Sequence, residues 1–213
     1  MYQPPAFRET DKPVLHSFIA AHPLGLLISS NDGGLVADQI PFLLYPEEGA
    51  FGTLRAHLAR ANPQWRMLDD PATLHLVVFS GVNHYVSPSW YPQKAVDGKV
   101  VPTWNYAVVQ AKGHVTLHED PAWLHAHVSA LTDRHETGRT SPWAVSDAPD
   151  AFVASQLKGI VGIEIAIDIL EGKLKASQNR AEADRVGVAE GLLAEADAAA
   201  PAMRELVKAR GGV

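Results

Sequence analysis

The chain has 213 residues, of which 46% are apolar and 20% are charged, a balance typical of globular proteins that bury a sizeable core. It contains no cysteine, which excludes disulfides, thiolate metal sites and cysteine nucleophiles. The formal charge of -6 disfavours direct DNA binding, because tight binding to phosphates requires a basic face. Since there is no apolar run long enough for a secretory signal or a membrane span, we expect a cytoplasmic protein.

The predicted elements begin with a short helix, which Thr10 or Asp11 caps and which ends before Pro23. Two runs of strand-forming residues follow, separated by a turn sequence of Asn, Asp and two Gly. They predict a hairpin over residues 24–45. Residues 51–58 are predicted to form a third strand.

The middle of the chain continues this pattern. Asn62 and Pro63 open a predicted helical turn, and further strands are expected over residues 73–81 and 100–117. The loop between these two strands is rich in Pro, Ser, Trp and Tyr. A helix capped by Asp120 and then a half-buried antiparallel strand are predicted over residues 121–136 and 160–170.

The carboxyl end is rich in Ala and Glu from Ala181 onward and is predicted to form a helical tail around Pro201. We therefore expect a main domain over residues 1–180 and a helical appendage over residues 181–213. The strands follow one another closely, with few crossover helices and no alternation of strand and helix. This order favours an antiparallel barrel, in a mainly β fold with flanking helices, over a doubly wound sheet.

Basic side chains are concentrated in the segment 52–65. Arg55, His57 and Arg60 fall within six residues, and Asn62 follows at the predicted helix start. Guanidinium and imidazole groups supply charge-assisted donors, and free N–H groups at a helix amino end add partial positive charge, which together suit a phosphate. Taken alone, however, such a segment is more often a solvated basic edge. A phosphate site is therefore one of two interpretations.

Two loop segments combine aromatic rings with small polar groups, a mixture that suits a flat heterocycle. A single tryptophan in a loop is equally often a core residue, so the pattern alone leaves both roles open. A third segment, LKASQNR at 174–180, is a polar strand end that includes Gln178. The candidates in the two aromatic loops are Ser87, Trp90, Thr103, Trp104 and Asn105.

Other chemistries have less support. His125 and His127 lie two residues apart on a predicted helix and face different directions, and no HExxH spacing occurs, so a zinc site is disfavoured. Ser87 and Ser89 lack the GxSxG elbow of serine hydrolases. Dinucleotide and nucleoside triphosphate folds have no support, because the chain has neither GxGxxG opening a helix nor GxxxxGK followed by Ser or Thr.

Taken in order, the segments QIPFLL, AHLARANPQW, VSPSWY, VPTWNY and EGKLKASQN resemble the PaiB-like family of FMN-binding split-barrel proteins, which are negative transcriptional regulators. The resemblance runs from residue 2 to about residue 193. It implies a split β-barrel of the flavin reductase and pyridoxamine phosphate oxidase type, a homodimer with FMN at the subunit interface, and a role as a repressor of genes such as those for sporulation and degradative enzymes.

The resemblance also implies roles for single residues. His57 and Arg60 would be phosphate ligands, and Asn62 a polar partner or helix cap. The family usually has His at the position of Gln39, and Gly at that of Ala56, where Gly would let the backbone approach a phosphate closely. The residues expected around the flavin ring or ribityl chain are Ser87, Trp90, Thr103, Trp104 and Asn105, with Gln178 from the second subunit.

Three functions remain open. A flavin-binding regulator is favoured, because no acid–base pair stands out. The alternative is an enzyme on the same barrel: an FMN-dependent oxidoreductase, such as a flavin reductase or a pyridoxamine phosphate oxidase-like oxidase, or a haem-using protein. A DNA-binding repressor would have to use the helical tail, yet residues 171–213 carry seven basic and seven acidic side chains. Direct DNA binding is therefore disfavoured.

Overall fold

A computed structural model describes residues 1–31, 33–70 and 72–213. Within these residues the chain forms two compact units. The larger unit comprises residues 16–79 and 110–170, and the smaller unit comprises residues 1–15, 80–109 and 171–213. The predicted boundary at residue 180 stays a prediction.

The described part of the chain is mainly β, with helices before, between and after runs of strands. The strands are β1 (Arg8–Glu9), β2 (Leu24–Asn31), β3 (Gly34–Pro41), β4 (Leu43–Tyr45), β5 (Thr53–Ala59), β6 (His75–Val86), β7 (Thr103–His118) and β8 (Ile160–Lys175). The α-helices are α1 (Lys12–Ala21), α2 (Gln93–Asp97), α3 (Pro121–Glu136), α4 (Asp150–Leu157), α5 (Glu182–Leu193) and α6 (Ala200–Gly211). None of the helices in the described ranges is long and apolar enough to cross a membrane.

The strands hydrogen-bond in the order β3-β2-β6-β7-β8-β5-β4, with β1 beside β8. The predicted hairpin is confirmed, since β2 and β3 pair antiparallel from Leu24 opposite Pro41 to Asn31 opposite Gly34. Asp32, part of the predicted turn, lies outside the described residues. The pairings of β5 with β4 and with β8 are also antiparallel, as expected for a fold without crossover helices.

The core of the larger unit is formed by alternate residues of its strands. Leu54, Ala56 and Leu58 of β5 are buried, and β8 buries Val161, Ile163, Ile165 and Ile167 in the same way. The pattern fails at Ile169, which is exposed, and β8 continues beyond its predicted end to Lys175. Because Ala56 lies in the core, its methyl group packs against apolar neighbours.

The smaller unit is built around the helical tail. α5 and α6 form a hairpin whose apolar faces meet a buried cluster contributed by β6 and the following loop. Leu193, at the end of α5, is exposed. The cluster consists of Val86, Tyr91, Ala176, Val188, Ala189, Leu192, Ala200, Met203 and Val207.

Candidate functional site

Arg60 follows β5 in the larger unit, where its guanidinium is already engaged. Nε donates to the carbonyl of Lys158 at 3.1 Å and Nη2 to that of Ile160 at 3.1 Å. Nη1 donates to the exposed carboxylate of Glu119 at 2.5 Å. These bonds use three of the five N–H groups of a guanidinium, so two remain to bind an anion.

Asn62 is a helix cap, as the resemblance implied. Its Oδ1 accepts from the N–H of Gln64 at 2.9 Å, and its Nδ2 donates to Asp38 at 2.7 Å. The 3-10 helix that it caps spans Pro63–Leu68, and Pro63 has no N–H to offer. The amino end of this short helix therefore presents fewer free donors than the sequence suggested.

His57 makes a hydrogen bond between its Nδ1 and Nε2 of His127 at 3.1 Å. His127 is only 3% exposed, and burial together with the neighbouring His57 lowers its pKa from 6.5 to about 4. Burial also lowers the pKa of His57. Both rings are therefore neutral at pH 7, so His57 can bind a phosphate only as a neutral hydrogen-bonding group.

His127 belongs to a stack of rings that also contains Trp123 of α3 and His118 of β7. The rings of His118 and Trp123 are parallel within 7° at 4.0 Å, and Trp123 lies 5.4 Å from His127. Gly162 on β8 leaves room for this stack, since a Cβ there would lie 2.2 Å from the Trp123 ring. The spacing of four residues between Trp123 and His127 on one helix is the sequence signal that could have indicated the stack.

Arg55, the third basic residue of the segment, is neutralised within the sheet. It forms ion pairs with Glu164 at 2.6 Å and Glu48 at 2.9 Å. Its guanidinium also lies 4.2 Å above the Tyr45 ring. These contacts give Arg55 a structural role in the larger unit, where it joins β4, β5 and β8.

The candidates at the start of β7 belong to the smaller unit and form a polar network with the LKASQNR segment. Asn105 is fully buried and donates through Nδ2 to the hydroxyl of Ser177 at 2.9 Å. The ammonium of Lys175 donates to the hydroxyl of Thr103 and to the carbonyl of Trp104. Sequence spacing could not show these bonds, because their partners are about seventy residues apart.

The side-chain amide of Gln178 forms hydrogen bonds within its own loop. Its Oε1 accepts from the N–H of Ala176 at 2.7 Å and its Nε2 donates to the carbonyl of Leu174 at 2.5 Å. Ser177 between them has φ +62°, in the left-handed region that non-glycine residues seldom adopt. The amide of Gln178 thus stabilises the turn, and its contact with FMN in a second subunit stays a prediction.

Trp90 and Trp104 have different environments. Trp90 packs on α5, where a Cβ at Gly191 would lie 2.3 Å from its indole ring, and Ser87 caps its short 3-10 helix by accepting from Ser89 N–H at 3.2 Å. Trp104 is 53% exposed, and its ring lies edge-on to that of exposed Tyr85 at 6.1 Å. Trp90 therefore has the packing of a core residue, whereas Trp104 offers an open aromatic surface.

Each unit by itself holds part of the chemistry that FMN requires. The larger unit offers the two unused N–H groups of Arg60, which suit a phosphate oxygen. In the smaller unit, Trp104 offers an exposed ring face, and Thr103 and Lys175 supply polar groups for the edge of a heterocycle. Each of these two sets of residues suits one part of a flavin mononucleotide.

The antiparallel strand order with flanking helices and these polar and aromatic groups define a flavin-binding protein of the split-barrel class. The chain belongs to the family described as "Putative FMN-binding domain", whose sequence model matches residues 1–169. The FMN-binding prediction is confirmed at this level, and FMN is the cofactor that family membership assigns.

Similar proteins support both the family and the fold. The "Protease synthase and sporulation protein PAI 2" of Bacillus subtilis is 30% identical over 98% of this chain and 97% of its own length. An uncharacterized protein of Aspergillus fumigatus is 37% identical over 90% of each chain. The FAD and heme binding protein of Mycobacterium smegmatis aligns with a TM-score of 0.57 at 20% identity, over 79% of this chain and 73% of that chain. The last likeness shows the fold alone and confirms the predicted fold class.

Proposed function

We propose that this protein is a homodimeric FMN-binding regulator with the flavin at the subunit interface. The observation that carries the proposal is the exposed pair of Trp104 and Tyr85 beside the polar network of Thr103, Asn105 and Lys175. Two adjacent exposed rings offer a joint apolar contact surface, and rings with adjacent donors match a flat heterocycle that has carbonyl acceptors on its edge.

The regulatory part of the proposal is drawn from the Bacillus subtilis relative, whose name links it to protease synthesis and sporulation. Direct DNA reading by the tail is disfavoured by its packing. Met203 and Val207 of α6 are buried in the smaller unit, Arg204 pairs with Glu205 at 3.0 Å, and Arg210 pairs with Glu9 at 2.5 Å. We therefore propose that regulation acts through a partner protein or through the state of the flavin.

Titration with FMN tests the proposal. We expect wild-type protein to change the fluorescence of added FMN, and Trp104→Ala to weaken binding by about 3- to 10-fold, the range expected for losing one aromatic contact. Trp143→Ala is the matched control, because Trp143 in the larger unit is 48% exposed and lies outside the proposed surface. A wild-type protein that leaves FMN fluorescence and its own melting temperature unchanged would refute flavin binding.

The same proteins test the dimer. Light scattering of the wild type should give twice the mass of one chain. If the protein is a monomer that still binds FMN, the cofactor part of the proposal stands and the subunit interface is refuted.

A further inference from the structure

Three cations lie together at the end of β8 in the smaller unit. Lys173 and Lys175 are two residues apart on one face of the strand, and their ammonium groups lie 5.2 and 5.9 Å from the centre of the Tyr106 ring. Arg180, just beyond the strand, lies 5.0 Å from the centre of the Tyr91 ring. We call Lys173, Lys175 and Arg180 the cation cluster.

Across residues 1–31, 33–70 and 72–213, no carboxylate forms an ion pair with a member of the cation cluster. Lys173 is 8% exposed, lies opposite Arg8 in the pairing of β1 with β8, and its ammonium lies 5.4 Å from the centre of the Tyr2 ring. Cations that lie close together without a paired carboxylate repel one another.

The members of the cation cluster also repel one another. Burial lowers the pKa of Lys175, and the positive charges of Lys173 and Arg180 lower it further. The hydrogen bonds of Lys175 go to the neutral oxygens of Thr103 and Trp104. A bound anion would offset this repulsion, which those neutral oxygens do not.

A buried hydroxyl lies beside the cluster. Tyr91 is 2% exposed, and within the described residues its OH forms no close hydrogen bond, although Arg180 and Ser177 lie next to it and buried Asp184 acts on it electrostatically. Ser177, which has a left-handed backbone conformation, accepts a hydrogen bond at its hydroxyl from buried Asn105.

We propose that the cation cluster and the hydroxyl of Tyr91 bind an oxyanion of the phosphate class. A phosphate group accepts several charge-assisted hydrogen bonds at once, from ammonium, guanidinium and hydroxyl donors alike. The group can belong to FMN or to a separate phosphorylated ligand, and the site is independent of any phosphate contact made by Arg60.

Inorganic phosphate tests the site directly in the flavin-free full chain. We expect saturable binding by calorimetry at constant ionic strength, and at least a 10-fold loss of affinity in the double variant Lys173→Met with Arg180→Gln. Lys99→Met is the control, because Lys99 is an exposed lysine of the same unit. The proposal is overturned if wild-type protein does not bind phosphate saturably or if the double variant binds it equally well.

Two further measurements separate a binding role from a structural one and identify the source of the anion. Without phosphate, Lys173→Met should melt at the same or a higher temperature, since it removes an unpaired charge. A large fall in melting temperature would instead show that Lys173 stabilises the fold and would count against the site.

If the cluster holds the phosphate of FMN, the preference for FMN over riboflavin falls in the double variant. If that preference is unchanged while phosphate binding is lost, a separate phosphorylated ligand occupies the site.

Discussion

Replacing Arg60 by alanine is expected to weaken FMN binding by about 10- to 100-fold, because a charge-assisted hydrogen bond contributes about 1.5–3 kcal/mol. Arg60 is held in place by the carbonyls of Lys158 and Ile160 and keeps two N–H groups for a phosphate oxygen. The dissociation constant from a fluorescence titration measures the effect.

Arg66→Ala is the matched control for this change. Arg66 lies on the neighbouring 3-10 helix, is exposed, and contacts the Trp65 ring at 4.6 Å. The Arg66→Ala variant should bind FMN as tightly as the wild type does. If Arg60→Ala lowers the melting temperature but leaves the dissociation constant unchanged, the role of Arg60 is confined to joining β5 to β8.

Acid should destabilise the larger unit through His127. Its pKa is about 4 in the folded protein against 6.5 for an ordinary histidine, so between these values the unfolded chain binds the extra proton. The contribution is fully present above about pH 6.5 and is lost as the pH falls towards 4. From the shift in pKa, the loss between pH 7 and pH 4 is on the order of 3 kcal/mol.

His127→Phe isolates this contribution. The ring can still stack on Trp123, while the titrating group and the hydrogen-bond partner of His57 are lost. The variant should be less stable at pH 7, and its free energy of unfolding should fall less steeply with acid than that of the wild type. Other histidines with lowered pKa, among them His75 and His118, contribute equally to both proteins. Parallel pH profiles would show that His127 does not carry the effect.

Features set by local chemistry were predictable from the sequence. α3 begins at Pro121 because the carboxylate of Asp120 accepts from the N–H of Trp123 at 2.9 Å, the cap that the sequence indicated. The cap at Asn62 and the β2–β3 hairpin follow from equally short-range signals. The fold class could be derived from the close spacing of strands.

Features set by distant partners were not predictable. His57 meets His127 seventy positions along the chain, and Arg60 binds carbonyls about one hundred positions away. The sequence therefore presented His57 as a charged donor and Arg60 as free, although burial and pairing change both. Lys173 was overlooked for the same reason, because its isolation from carboxylates is a property of the folded chain.

The absorption spectrum of the purified chain, recorded after mixing with FMN and removing unbound flavin, tests the central claim most directly. We expect flavin bands to remain with the protein at about one FMN per chain, and adding FMN should raise the melting temperature. A colourless protein with an unchanged melting temperature would contradict the account.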